Sequence, residues 1–285
     1  MFRTVSNTYS FGGNISGSLP LITNNPVTTN LIASLEMFQE AARDQSNNLI
    51  LDSTGNGYDL KIEGSQTYTF DSNGALIPSI NTSPYNSQNW LRVNDSVKRK
   101  TILPWSLSSF VATPQPRTFI FWAALNENPN STSNRNNLLS ITSSGGAFDE
   151  TLNFQYAAAP FNRFFGSWSD SGGVSSWTVY NGNYRDDTMR MYAIRYDGSN
   201  DTLNINVNGV DGPFEGSGWW SALFPSNGAS SATMDAEWLI NITGTSSPYS
   251  SAVTPMRLGA IYVYDAALTE AQLTNIYNQT NTFVS

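Results

Sequence analysis

The sequence predicts an all-β sandwich closed by one short carboxy-terminal helix. Three observations carry this. Short apolar runs recur along the chain with Gly, Pro, Asn and Asp between them, the pattern of antiparallel strands joined by turns and not of βαβ units. Leu203-Asn204-Ile205-Asn206-Val207 alternates strictly and runs into Asn208-Gly209, a pair suited to the positive φ angles of a two-residue type I′ hairpin. Only Asp265 to Gln279 carries a full set of helix signals.

Taken in order, residues 1–30 are polar and turn-rich, with aromatic side chains only at Phe2, Tyr9 and Phe11. They read as an amino-terminal arm or as an edge strand tied down on the domain. From Leu31 the segment LIASLEMFQ fits a strand buried on both faces or the start of a helix, and EAARDQSNN favours helix locally. The surrounding strand periodicity favours strand followed by loop. Further strands are expected at Asp59 to Glu63, Trp90 to Asn94, Arg117 to Leu125, Asn137 to Thr142, Leu152 to Tyr156 and Ser176 to Tyr180, and Asp235 to Ile242 is strand-like. In the closing helix Thr269 serves as N-cap and Gln272 completes a capping box, with Leu268 and Leu273 at the staple positions. Leu273, Ile276 and Tyr277 share the face that packs on the sandwich.

The composition narrows the chemistry. With 285 residues, 39% hydrophobic and 13% aromatic, one large core is the expectation, since all-β domains often reach ~200–250 residues. There is no cysteine and no histidine, which removes disulfides, thiolate chemistry, Ser-His-Asp systems and histidine-based zinc sites. Catalysis would have to rest on carboxylates, Tyr, Lys or a bound ion. A formal charge of -8 with only 14 basic residues argues against nucleic-acid binding. Lys98-Arg99-Lys100 reads as a solvated turn or local ion-pairing site. The longest apolar run, Phe119 to Leu125, is far below the ~20 residues that span a bilayer, so no membrane insertion is expected. The opening MFRTVSNTYSFGGNISGSLP lacks the apolar core and cleavage site of a signal peptide, so a classical secretion route is not expected. The sequons at Asn81 and Asn241 carry little weight in so Asn-rich a chain.

Several separated segments together resemble the laminin-G-like jelly roll of the concanavalin A-like lectin and glucanase superfamily. Leu31 to Phe38 leads to Asp52-Ser53-Thr54-Gly55-Asn56-Gly57, similar to the family's Asp-x-Ser-Gly-Asn-Gly type turn. Arg117-Thr118-Phe119-Ile120-Phe121-Trp122 resembles its central strand with an aromatic-Trp pair. Met191 to Gly198 and Leu203 to Gly209 match a strand, a Tyr-Asp-Gly turn and a hairpin ending in Asn-Gly. Leu258 to Asn278 is similar to the closing strand and helix. The resemblance implies a two-sheet antiparallel jelly-roll sandwich, concanavalin A-like, over residues 31–285, with one sheet or its loops often forming a ligand surface. The chain departs from the family at about 211–255, where Asp211 to Pro255 is longer than expected and reads as an insertion.

Glycosidases of that superfamily carry a Glu-x-Asp-x-Glu strand, and the nearest match, Thr233-Met234-Asp235-Ala236-Glu237, lacks the nucleophile position. At about 3.3 Å per residue, Asp235 and Glu237 would share a strand face roughly 7 Å apart, compatible with a glycosidase pair. For binding, a flat aromatic ring complements the C–H face of a sugar. Trp219 and Trp220, between glycine and loop residues, are the leading glycan candidates, with Trp177 and Tyr184 next and Trp168 beside them. Packing in the core or an interface is the competing role for each. Asp52, Asn56 and Gly57 could offer calcium a few oxygens, but an ion needing about six to eight is poorly served, and an Asx-type turn explains them better.

The expectation for the whole chain is a non-enzymatic, lectin-like protein at the surface of a virus or phage particle. It would act as a capsid decoration, cement or fibre component and attach to host glycans. Expected partners are other virion proteins through the arm, host-surface glycans, and further copies of the chain in a homo-oligomer or larger assembly; no cofactor or metal is expected. The alternatives are a glucanase-type hydrolase using Asp235 and Glu237, or a secreted, extracellular carbohydrate-binding module.

Overall fold

The computed structural model describes residues 23–47, 49–62, 68–78, 89–93, 116–125, 135–143, 151–157, 163–170, 173–184, 186–197, 202–212, 236–243 and 256–284. Among them, strands β1 (Leu31–Glu36), β5 (Tyr68–Phe70), β6 (Leu76–Pro78), β8 (Arg117–Leu125), β13 (Arg190–Asp197), β14 (Thr202–Val207), β15 (Val210–Asp211) and β17 (Met256–Tyr264) form one sheet. Its order is β15-β14-β13-β8-β17-β6-β5, with β1 on β17 beside that path. The second sheet is made of β2 (Arg43–Asp44), β3 (Leu49–Ile50), β4 (Leu60–Ile62), β7 (Asn89–Val93), β9 (Arg135–Ser143), β10 (Thr151–Ala157), β11 (Arg163–Asp170), β12 (Gly173–Asn181) and β16 (Ala236–Thr243). Its order is β12-β11-β10-β9-β16-β7-β4-β3-β2. Every ladder is antiparallel. The fold is the two-sheet antiparallel jelly-roll sandwich with a carboxy-terminal helix, α1 (Glu270–Val284).

The central strands of the first sheet are buried on both faces, and their sequence shows why. Side chains alternate across a strand, and all nine residues of β8 are buried. Ile120 and Trp122 join Met191, Ala193, Ala260, Tyr262 and Tyr264 on the outer face, against Leu268, Leu273 and Ile276 of the helix segment and Val27. The opposite parity, with Phe119, Phe121, Ile194, Ile205, Ile261 and Val263 all buried, turns toward the second sheet. A continuous apolar run in β8 is therefore a strand covered twice.

Helix α1 is started and docked by local chemistry. Gln272 N–H donates to Thr269 Oγ1 at 3.2 Å while Thr269 N–H donates to Gln272 Oε1 at 2.8 Å, the reciprocal capping box. Thr118 Oγ1 donates to Ala266 O at 2.7 Å and accepts from Leu268 N–H at 3.0 Å, which fixes the approach of the chain to the helix. Trp122 stacks on Tyr277 at 5.8 Å and donates to Thr280 Oγ1 at 3.0 Å. The helix runs to Val284, beyond the expected end at Gln279, and Phe283 stacks on Phe38 at 5.4 Å.

Other expectations meet the structure in detail. Asn208 and Gly209 adopt φ of 53° and 83° between β14 and β15, the expected hairpin. After β1 a 3-10 turn at Glu40–Ala42 stands where the sequence favoured helix locally, followed at once by β2. Thr23 to Asn30, read with the arm, pack on the domain through buried Asn25 and Val27. Within the segment read as an insertion, β16 lies between β9 and β7 in the second sheet.

Candidate functional site

Of the aromatic residues singled out for ligand contact, Tyr184 is the one whose side chain lies in the described part of the structure. It sits in the connection from β12, at the edge of the second sheet, to β13 in the first. Gly182 makes room for it: a Cβ at that position would lie 2.5 Å from Cε2 of the ring. The ring meets Tyr192 edge-on at 5.9 Å, and the Arg190 guanidinium lies 5.5 Å from its centroid. Arg190 in turn makes a two-pronged pair with Asp186, 2.6 Å on each arm. These hydrogen bonds hold the Asp186 carboxyl well below the usual carboxylate range and keep Arg190 charged.

The loop holding this group is braced from two strands of the first sheet. Asp187, in the left-handed region at φ 57°, donates its N–H to Leu125 O at the end of β8 at 3.1 Å. Arg257 of β17 donates to Asp187 O at 2.7 Å and reaches Asp71 Oδ2, in the β5-β6 turn, at 2.8 Å. A half-buried aromatic ring beside a fixed cation and carboxylate can stack on an apolar ring face while offering hydrogen bonds to hydroxyl groups.

The other expected residues are placed less fully. Trp177 lies on β12 opposite Gly166, and Trp168 on β11 opposite Ser175. Glu237 lies on β16 opposite Thr142. Trp219, Trp220 and Asp235 lie outside the described residues, as do the Lys98-Arg99-Lys100 stretch and Asn81. Gly182, Asp186, Arg190 and Tyr192 are not among the residues expected at a site, although Gly-Asn-Tyr-Arg-Asp-Asp at residues 182–187 places a glycine, an aromatic ring and charges in one stretch.

The Asp52 turn is a hydrogen-bonded lock. Oδ1 accepts from Ser34 N–H at 2.9 Å and Thr54 N–H at 3.0 Å, and Oδ2 from the Thr54 hydroxyl at 2.7 Å and Tyr58 N–H at 3.2 Å. Gly55 and Gly57 take φ of 78° that the turn requires. Four donors aimed at one carboxylate favour the Asx-type turn over a cation. Among the described residues no group of three or more acidic side chains is placed to hold a metal, and no helix is long and apolar enough to cross a membrane.

A second polar cluster has no signature in the local sequence. Glu36 is fully buried on the outer face of the first sheet and accepts from Thr23 Oγ1 at 3.0 Å, Asn24 N–H at 2.9 Å, the Tyr262 hydroxyl at 3.1 Å, and Gln39 Nε2. Burial pushes its carboxyl up, against the pull of these hydrogen bonds. Burial and the neighbouring Glu36 charge push the Tyr262 hydroxyl well above its ordinary value. Tyr264 donates to Val27 O at 2.9 Å and accepts from Asn25 Nδ2. The cluster fastens residues 23–27 to the sheet, and its buried carboxylate has no surface for a substrate.

No family model matches the chain, and no curated protein matches it. Solved structures do match in shape. The binding domain of botulinum neurotoxin DC in complex with rat synaptotagmin II aligns at a TM-score of 0.54 with 8% identity, over 88% of this chain and 51% of that one. A botulinum neurotoxin type C structure, whose description concerns interaction with two ganglioside molecules, aligns at 0.54 with 10% identity over the same shares, 88% and 51%. A Trypanosoma rangeli sialidase aligns at 0.52 with 11% identity, over 91% of this chain and 34% of that one. The chain thus spans about half the length of the neurotoxin chains and a third of the sialidase. At these identities the likeness establishes the β-sandwich fold, in which this chain shares a shape with much longer proteins.

Proposed function

We propose that the chain is a non-catalytic, glycan-binding sandwich that presents Tyr184 and the Arg190–Asp186 pair to a saccharide. The observation that carries this reading is the Tyr184 ring, seated over Gly182 and flanked by a fixed cation and carboxylate. Stacking on a pyranose face supplies apolar contact, and the charged pair supplies donors and acceptors for ring hydroxyls. Two neighbours in shape lend support: one is described with gangliosides and another is a sialidase. Trp219, Trp220 and Trp177 are further contacts in this reading.

A glycan array followed by titration of the best ligand tests it. Tyr184→Ala should weaken binding by about tenfold, the loss of one stacked ring. Array silence, or unchanged affinity in Tyr184→Ala, would overturn the reading. Release of reducing sugars that Glu237→Gln abolishes would instead establish the hydrolase.

The setting we propose is the surface of a virus or phage particle, as a decoration, cement or fibre component. An acidic chain without cysteine and rich in Asn, Ser and Thr supports it. Fractionation of particles with specific antibody tests it, and recovery of the protein only in the unassembled fraction would sink the idea.

A further inference from the structure

We propose that β12 is an interface strand through which two copies of this chain pair edge to edge. A sheet edge presents unpaired N–H and C=O groups, and proteins blunt such edges by keeping them short, charging them or covering them. The first sheet ends in β15, of two residues, and β5, of three. Its six-residue β1 is covered on the side away from β17 by the Asp52 turn: Ser34 N–H donates to Asp52 Oδ1 at 2.9 Å, Ser53 N–H to Ser34 O at 2.9 Å, and Asn56 Nδ2 to Ile32 O at 2.8 Å. At one end of the second sheet, β2 has two residues, Arg43 and Asp44, both of a charged type.

The other end of the second sheet follows none of these rules. β12 has nine residues, GVSSWTVYN, with neither a charge nor a proline. It pairs with β11 on one side, and among the described residues no strand is hydrogen-bonded to its other side, although β14 of the first sheet comes near it. A register shift against β11 between Phe164 and Phe165 falls at Val179, so the regular edge is Gly173 to Thr178. Six residues at about 3.4 Å each give an edge of roughly 20 Å.

The occupant that fits is a second copy. An antiparallel edge is its own complement about a two-fold axis. An axis through Ser175 or Ser176 sets a serine against its own copy at the centre, with no like charges opposite one another. The chain carries a formal charge of -8, so copies repel over most approaches, and an uncharged strand is where that repulsion is weakest.

Sedimentation of the full chain, with Ser175→Pro and Ser176→Pro, tests the proposal. Adjacent residues of a strand turn their N–H groups to opposite sides, so one proline removes a donor facing β11 and the other removes a donor facing outward. The full chain should sediment as a dimer. The outward-facing variant should be a monomer that shares the parent's unfolding midpoint at concentrations low enough to dissociate the parent dimer, and the other should unfold earlier even there. If neither proline variant folds, Ser175→Lys and Ser176→Lys provide the test, with the dimer dissociation constant raised by about tenfold or more in at least one of them. A monomeric parent at every concentration, or an unchanged dimer in all folded variants, overturns the proposal.

Discussion

Glu36 and Asp186 show that two carboxylates in one chain can bind stability to pH with opposite sign. Burial raises Glu36 above the ordinary 4.5, so its contribution to stability is full below that value and is lost as pH rises through the raised one. Glu36→Gln carries no such titration. Its unfolding free energy relative to the parent should therefore rise between about pH 4 and about pH 8, as read by urea denaturation at both. A constant difference would mean that burial leaves Glu36 unperturbed. Asp186 runs the other way: Arg190 holds it below 3.8, so its contribution is present above that value and fades as pH falls. The carboxylate is exposed on the surface, and Asp186→Asn should cost less than about 1 kcal/mol at neutral pH. Gly182→Ala acts on shape. A methyl group there meets the outer atoms of the half-buried Tyr184 ring; the ring can turn aside, so the thermal midpoint should fall little, by less than about 1 kcal/mol of stability, while glycan binding weakens as in Tyr184→Ala.

At the scale of elements, α1 was legible because its signals are local. A capping threonine, a glutamine three residues on and apolar side chains at helical spacing need no knowledge of the rest of the chain, and Leu273 and Ile276 are fully buried as their spacing requires. Thr269→Ala should cost about 1 kcal/mol through loss of the cap. Leu273→Ala should cost about 2–5 kcal/mol through the cavity it leaves under the helix, both measurable by chemical denaturation. Long strands such as β8 and β14 were legible for the same reason. The short pairings were not: β2, β3 and β15, at two residues each, have no period to detect. β11 was missed because Gly166, Ser167 and Ser169 interrupt its apolar pattern.

At the scale of the molecule, the segment from Thr23 to Asn30 does what its polar sequence does not announce. Asn25 and Val27 are buried against Tyr264 and the outer face of the first sheet. A chain lacking residues 1–30 should therefore melt several degrees below one lacking only residues 1–22, since a buried valine and a hydrogen-bonded polar cluster are lost together. Equal melting temperatures would show that the cluster contributes nothing. By itself the sequence determined the class of fold, the closing helix, the Asn208-Gly209 hairpin and the exclusion of cysteine and histidine chemistry, because composition, caps, turns and periodicity act over a few neighbouring residues. Only the tertiary structure decided which faces are covered, how Glu36 is satisfied, and which loop residues gather round Tyr184. Glu36 and Tyr262 are 226 residues apart in sequence yet share one hydrogen bond. No local pattern encodes such a contact; it follows from the order in which the strands pair.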